Sequence, residues 1–270
     1  VFYALMGAYV YLAPDLPTAN QMRGVEMQIP LRVYTRSGQL IAQIGEQRRV
    51  PVHYEEIPQL VREAFIAAED DRFFQHSGVD YAGVLRALIV DITTGDFSQG
   101  ASTITMQAAR NMFLTPDKNL QRKLQEVFLT YRMENEFTKE QILNTYLNVI
   151  FFGQRSYGVA AAAEVYFGKS LGELSVAEAA TLAGLPQAPS RYNPVTSPER
   201  AIERRKYVLQ RMHSLDFIDD DTFERAQREP IKAREYAPLF EVEAPYVAEM
   251  ARQTVIERYG EQAINSGYRV

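Results

Sequence analysis

From about Ile57 the apolar positions of the chain recur with a helical period. Leu60, Val61, Ala64, Phe65 and Ala68 fall at i, i+1, i+4, i+5 and i+8, an apolar stripe that leads to Glu69. The same reading predicts helices at about 80–93, 103–113, 119–135, 139–148, 157–165, 175–184, 198–213 and 219–228, and a last one at 245–259. Gly and Pro punctuate them at Gly95, Gly100, Pro116, Gly153, Gly168, Pro186, Pro189, Pro194 and Pro198. Ahead of them, residues 31–50 alternate apolar and polar around Ser37-Gly38, a hairpin signal. Strand-like runs are scarce after residue 55, so the predicted fold class is mainly α.

Val1 to Leu12 is uncharged and almost wholly apolar. As a helix it spans about 18 Å, against a hydrocarbon core of roughly 30 Å. It reads as the outer half of a transmembrane anchor; a buried helix or a signal-sequence remnant is the alternative. The expected organisation is therefore a partial anchor over 1–20, a β-hairpin and linker over 21–55, one helical domain over 56–228, and a linker over 229–270.

Composition narrows the function classes. With 46% hydrophobic and 23% charged residues the chain is an ordinary globular one. A net charge of −5 argues against a nucleic-acid partner, which would favour a basic excess. Without Cys there is no disulfide framework, zinc finger or thiol nucleophile. Gly168-Lys169-Ser170 hints at a P-loop, but position 163 is Ala where that motif needs Gly.

Five blocks carry the candidate chemistry. The first runs from Glu69-Asp70-Asp71 through Phe73-Phe74 to His76-Ser77-Gly78. Neighbouring negative charge and partial burial both raise a carboxyl pKa, which brings it nearer the working pH of a general base. An exposed acidic helix end is the simpler reading, and the two Phe residues weigh against it. The second block, Gly100-Ala101-Ser102-Thr103 to Gln107, Arg110 and Asn111, places Ser and small residues at a helix start, where free backbone N–H groups suit an anion. In the third, Arg122 and Lys123 lie i−4 and i−3 from Glu126 and share its helix face. Between residues 100 and 133 there are five basic residues (Arg110, Lys118, Arg122, Lys123, Arg132) and two acidic ones (Asp117, Glu126), a local charge of +3. A basic stripe beside a carboxylate suits a phosphate-bearing ligand, although a solvated helix with an internal ion pair has the same pattern. The fourth block, Lys139 to Asn148 and Phe152 to Gly158, and the fifth, Tyr166 to Lys169 and Leu174 to Pro194, read on their own as helix packing and turns.

In this order the five blocks resemble the five signature motifs of the peptidoglycan glycosyltransferases of family 51. With its flanks the chain resembles the N-terminal half of a class A penicillin-binding protein, closest to the type called 1a. The resemblance implies a lysozyme-like, largely helical fold with a small membrane-embedded jaw subdomain. It implies polymerisation of lipid II into β-1,4-linked glycan, with inversion at the anomeric carbon and release of undecaprenyl diphosphate. Glu69 matches the catalytic base, and Glu126 the second catalytic carboxylate, at the donor diphosphate or at a divalent cation (Mg or Mn); no organic cofactor is implied. Asp70, Phe74, Ser102, Thr103, Gln107, Arg110, Lys118, Arg122, Lys123, Gln154 and Tyr157 match positions expected to bind substrate, Arg110 standing where many relatives have Lys. The expected partners are lipid II, the growing lipid-linked strand, the bacterial membrane and other wall-synthesis proteins. The expected location is the cytoplasmic (inner) membrane, with a single-pass anchor and the catalytic domain on the periplasmic face.

No Ser-x-x-Lys or Lys-Thr-Gly occurs. A transpeptidase domain, which class A proteins carry, is therefore expected beyond residue 270 or not at all. Two other classes stay open: a lytic transglycosylase or lysozyme-like hydrolase, and a non-catalytic module that holds lipid II.

Overall fold

A computed structural model of the chain describes residues 7, 10–12, 14, 16–23, 27–45, 47–84, 102–115, 119–236 and 242–270. Contacts divide the chain into two units, the first of residues 1–25 and 69–146, the second of 26–68 and 147–270.

In the first unit the elements are helical. After α1 (Ala19–Arg23) come α3 (Ile104–Phe113), α4 (Leu120–Glu136) and the start of α5 (Lys139–Val149), α2 (Gln59–Glu69) belonging mainly to the second unit. Thr103 caps α3 by accepting from Met106 N, and Asn119 caps α4 by accepting from Arg122 N at 2.7 Å. Every residue of α3 from Ile104 to Ala109 is buried, which is why its small side chains pack closely on α4. Helix α4 buries Glu126, Leu129, Thr130 and Met133, the i, i+3, i+4, i+7 row of an inward face, with a carboxylate heading an otherwise mostly apolar stripe. Arg23 ties α1 to α4 through Glu136 at 2.9 Å, and Arg132 donates to the carbonyl of Pro17.

The second unit holds the strands and most of the helices. Strands β1 (Leu31–Tyr34) and β2 (Leu40–Ile44) pair antiparallel, Leu31 opposite Ile44 and Val33 opposite Ala42, with Ser37-Gly38 in the turn between them. The short strand β3 (Arg48–Arg49) runs parallel to β5 (Ser156–Tyr157), which pairs antiparallel with β4 (Phe151–Gly153). Helix α2 (Gln59–Glu69) buries Val61, Ala64, Phe65 and Ala68, four residues of the expected stripe, and Phe65 meets Phe152 edge-on at 5.8 Å. Asn148 holds residue 52 by accepting from Val52 N at 2.9 Å and donating to Val52 O at 3.0 Å. Helices α6 (Val159–Phe167), α7 (Val176–Gly184), α8 (Pro198–Ser214) and α9 (Asp220–Arg228) follow, within two residues of the boundaries expected from periodicity. Helix α6 ends at Gly168, whose φ of 64° and proximity to the Tyr236 ring, 2.7 Å from where a Cβ would sit, leave no room for a side chain.

The stretch read above as a linker, 229–270, is largely ordered structure. Helix α10 (Pro245–Tyr259) packs on β2, and Leu31, Val33, Ile41, Ala248, Val255 and Ala263 form one buried cluster. Residues 266–270 run beside β1, with parallel bridges Ile29–Ser266 and Arg32–Arg269. Half of the expected anchor over 1–20 lies outside the described residues, as does most of the helix expected at 80–93. Among the described residues no helix is long and apolar enough to cross a membrane.

Candidate functional site

Three polar clusters hang on α3 and its neighbours in the first unit. The first is at Glu69, where α2 ends. Its Oε2 accepts from Gln107 Nε2 at 2.7 Å, joining residues 38 positions apart; Gln107 is 6% exposed. An amide donor on a carboxylate fixes its orientation while leaving it able to accept a proton.

The second cluster explains why Glu69 sits there. The chain leaves α2 at Asp70, whose carboxylate is 4% exposed and is fully engaged. It accepts from His76 Nε2 at 2.9 and 3.1 Å and from Ile104 N, at the start of α3, at 3.0 Å. His76 Nδ1 accepts from Gly78 N at 3.2 Å, so that lone pair is used and the ring proton lies on Nε2, facing Asp70. Thr103 donates to Gly78 O at 2.5 Å, fastening the cap of α3 to the same turn. Phe73 is fully buried as the sequence led one to expect, whereas Phe74 is 54% exposed and packs edge-on to it at 5.1 Å.

The third cluster is centred on Glu126, which is 0% exposed. Lys123 Nζ donates to Oε1 at 2.6 Å and Arg122 Nη1 to Oε2 at 3.1 Å, as their spacing required. Lys123 also reaches Ser102 Oγ at 3.3 Å, so the residue before the α3 cap joins the cations of α4. Arg122 Nε is buried without a hydrogen-bond partner among the described residues. Both cations sit in the first turn of α4, where the helix dipole is already positive. Two cations there with one carboxylate between them make a net positive pocket suited to an anion.

The remaining expected residues are distributed as follows. Arg110 is half-buried in the last turn of α3, three residues beyond Gln107. Lys118 lies outside the described residues. Gln154 and Tyr157 belong to the second unit: Gln154, with φ of 46°, is in the β4–β5 turn, and the Tyr157 ring lies 5.2 Å from the Arg49 guanidinium. Burial pushes the Arg49 guanidinium below its usual range, and Tyr157 partly opposes this. Among the described residues no group of three or more His, Asp or Glu side chains could hold a metal. Both Glu126 oxygens are engaged by cations, so the described donors do not fit a divalent ion.

Sequence reasoning did not single out Glu134 and Lys139. Thr105 Oγ1 donates to Glu134 Oε1 at 2.5 Å, Lys139 Nζ donates to the same oxygen at 2.8 Å, and Lys139 lies 4.5 Å above the Phe73 ring. The two charges are split across a helix break, so no i,i+4 spacing announced them.

A family model described as Transglycosylase matches residues 37–213, and the chain belongs to that family. Among its relatives are two proteins named Penicillin-binding protein 1A. The one from Pseudomonas aeruginosa is 46% identical over 100% of the chain and 33% of its own length. The one from Escherichia coli K12 is 48% identical over 99% of the chain and 31% of its own length. The chain thus spans about a third of the curated relatives it matches. A crystal structure of Penicillin-Binding Protein 1A from Haemophilus influenzae shares 36% identity and a TM-score of 0.48, covering 91% of this chain and 27% of that one.

Proposed function

We propose that the chain is a peptidoglycan glycosyltransferase that polymerises lipid II into β-1,4-linked glycan, as part of a bifunctional penicillin-binding protein anchored in the inner membrane. The observation that carries this reading is the pair of unlike carboxylates whose partners lie on α3 and α4. One, Glu69, accepts from the Gln107 amide; the other, Glu126, is buried between Arg122 and Lys123.

Inverting transfer needs a base behind the acceptor hydroxyl and positive charge at the leaving group. In the proposed step the acceptor 4-hydroxyl oxygen attacks the donor's anomeric carbon as its proton passes to Glu69. The bond from that carbon to the diphosphate oxygen breaks, and undecaprenyl diphosphate departs with the electron pair. Arg122 and Lys123 meet the charge that develops there, with Ser102 and Arg110 as further donors. Glu126 keeps the two cations extended and apart; without it they would repel each other and collapse toward other acceptors. Ser102 and Gln107 lie on either side of the Thr103 cap of α3. Phe74 offers an exposed ring to a sugar face.

Incubation with lipid II tests this. The wild-type protein should yield glycan polymer and undecaprenyl diphosphate, and Glu69→Gln should lose roughly 10²-fold or more in rate with lipid II binding retained. Unchanged polymerisation by Glu69→Gln would refute the role of Glu69. Clipping of intact sacculi without polymer would mark a lytic enzyme, and tight lipid II binding with no turnover a holding module.

A further inference from the structure

A helical threonine ordinarily satisfies its hydroxyl on the carbonyl one turn back. Thr130 does so on Glu126 O, and Thr181 on Ala177 O. Thr105 does not. It is fully buried on α3 and donates across to Glu134 on α4, at 2.5 Å. Glu134, 9% exposed, is in turn neutralised by Lys139 at the start of α5. Lys139 covers the ring of Phe73, four residues past Glu69. Glu134 also backs the Gly78 turn, its Cγ lying 3.0 Å from where a Gly78 Cβ would be. One carboxylate therefore touches α3, α5 and the segment that follows Glu69.

The consequence is geometric. At 100° per residue, positions two apart on a helix are rotated by about 200° and point to nearly opposite sides. Thr105 and Gln107 are such a pair: one faces Glu134, the other Glu69. Whatever pins Thr105 fixes the rotation of α3 about its axis and so the aim of Gln107. We infer that Glu134, charge-balanced by Lys139, is a positioning residue that acts through Thr105 to hold the Gln107 amide on the carboxylate of Glu69. Its importance for turnover rests on the proposed role of Glu69.

The test uses Thr105→Val, which keeps the shape and removes the donor, with Thr105→Ser as the rescue. In lipid II polymerisation Thr105→Val should lower kcat about tenfold with KM within about twofold, the signature of lost alignment rather than lost binding. Thr105→Ser should restore most of the rate. In a Gln107→Ala background Thr105→Val should add less than about a twofold loss, because the group it aims is already gone. A full tenfold loss in that background would overturn the inference. A second readout needs no turnover: the Gln107 side-chain amide signal in NMR, assigned by its disappearance in Gln107→Ala, should shift in Thr105→Val and Glu134→Gln and return in Thr105→Ser. An amide signal indifferent to Thr105→Val also overturns it. Full activity of Glu69→Gln, by contrast, would sink the catalytic reading and leave the amide measurement standing.

Discussion

Replacing Asp70 with Ala isolates the tie between the end of α2 and the start of α3. Its carboxylate serves two donors, His76 Nε2–H and Ile104 N–H, at 2.9 and 3.0 Å. With side chains 4% and 6% exposed, Asp70 and His76 have little water to turn to. A buried donor stripped of its partner costs about 1–3 kcal/mol, so two give about 2–6 kcal/mol. Against a domain stability of about 5–15 kcal/mol that is a large fraction. Asp70→Asn keeps one acceptor oxygen but turns an NH₂ toward the other donor. The Gly78 N–H already occupies His76 Nδ1, so the ring cannot change tautomer to accept it, and the cost should be about 1–2 kcal/mol. Urea unfolding read by linear extrapolation should show lower midpoints in the order wild type, Asn, Ala, with the slope unchanged. A loss under about 0.5 kcal/mol for Asp70→Ala would refute the tie. Full stability with abolished polymerisation would instead return Asp70 to the substrate contact that resemblance suggested.

Gly78 has φ of 94°, and a Cβ there would lie 2.6 Å from Thr130 Cγ2, so Gly78→Ala should destabilise by about 3 kcal/mol. Adding Thr130→Ser removes that methyl and keeps the hydroxyl, and the double variant should be more stable than the sum of the two losses predicts when measured in the same urea series. At the start of α9, hydrogen bonds from Thr222, side chain first and backbone second, hold the Asp219 carboxyl below its usual value of 3.8. A lowered folded-state pKa means stabilisation that is present above pH 3.8 and lost as the pH falls through the folded value. Asp219→Ala should therefore lower Tm at pH 7 and match wild type in scans near pH 2; an equal deficit at both pH values would contradict the cap.

The helices of this chain were legible because each carries its own punctuation: Asn119 before α4, the Ser175–Glu178 box before α7, Pro198 opening α8. The contact of Arg122 and Lys123 with Glu126 was legible for the same reason, since three- and four-residue spacing on one helix is local geometry. What periodicity cannot supply is the direction in which a side chain turns after a helix ends. Asp70 read as one more charge beside Glu69, yet it turns to a backbone N–H 34 positions away. Glu134 went unremarked in the sequence, because its partners Thr105 and Lys139 lie on two other helices. The helix at 245–259 was legible from its period, but its place was not: with the residues after it, it packs on β1, at the far end of the chain.

That last pairing bears on biogenesis. Residues 29–34 leave the ribosome early, but the segment that lies along one side of β1 and the helix that roofs its apolar face occupy 245–270. Until those residues emerge, Leu31, Val33 and Ile41 have no complete core, and the edge of β1 stays open while the intervening two hundred or so residues are made. Closure of so long a loop is slow relative to a local hairpin. The opening segment should be the last part of its unit to gain protection from protease during synthesis, and the place where a holding chaperone is most useful.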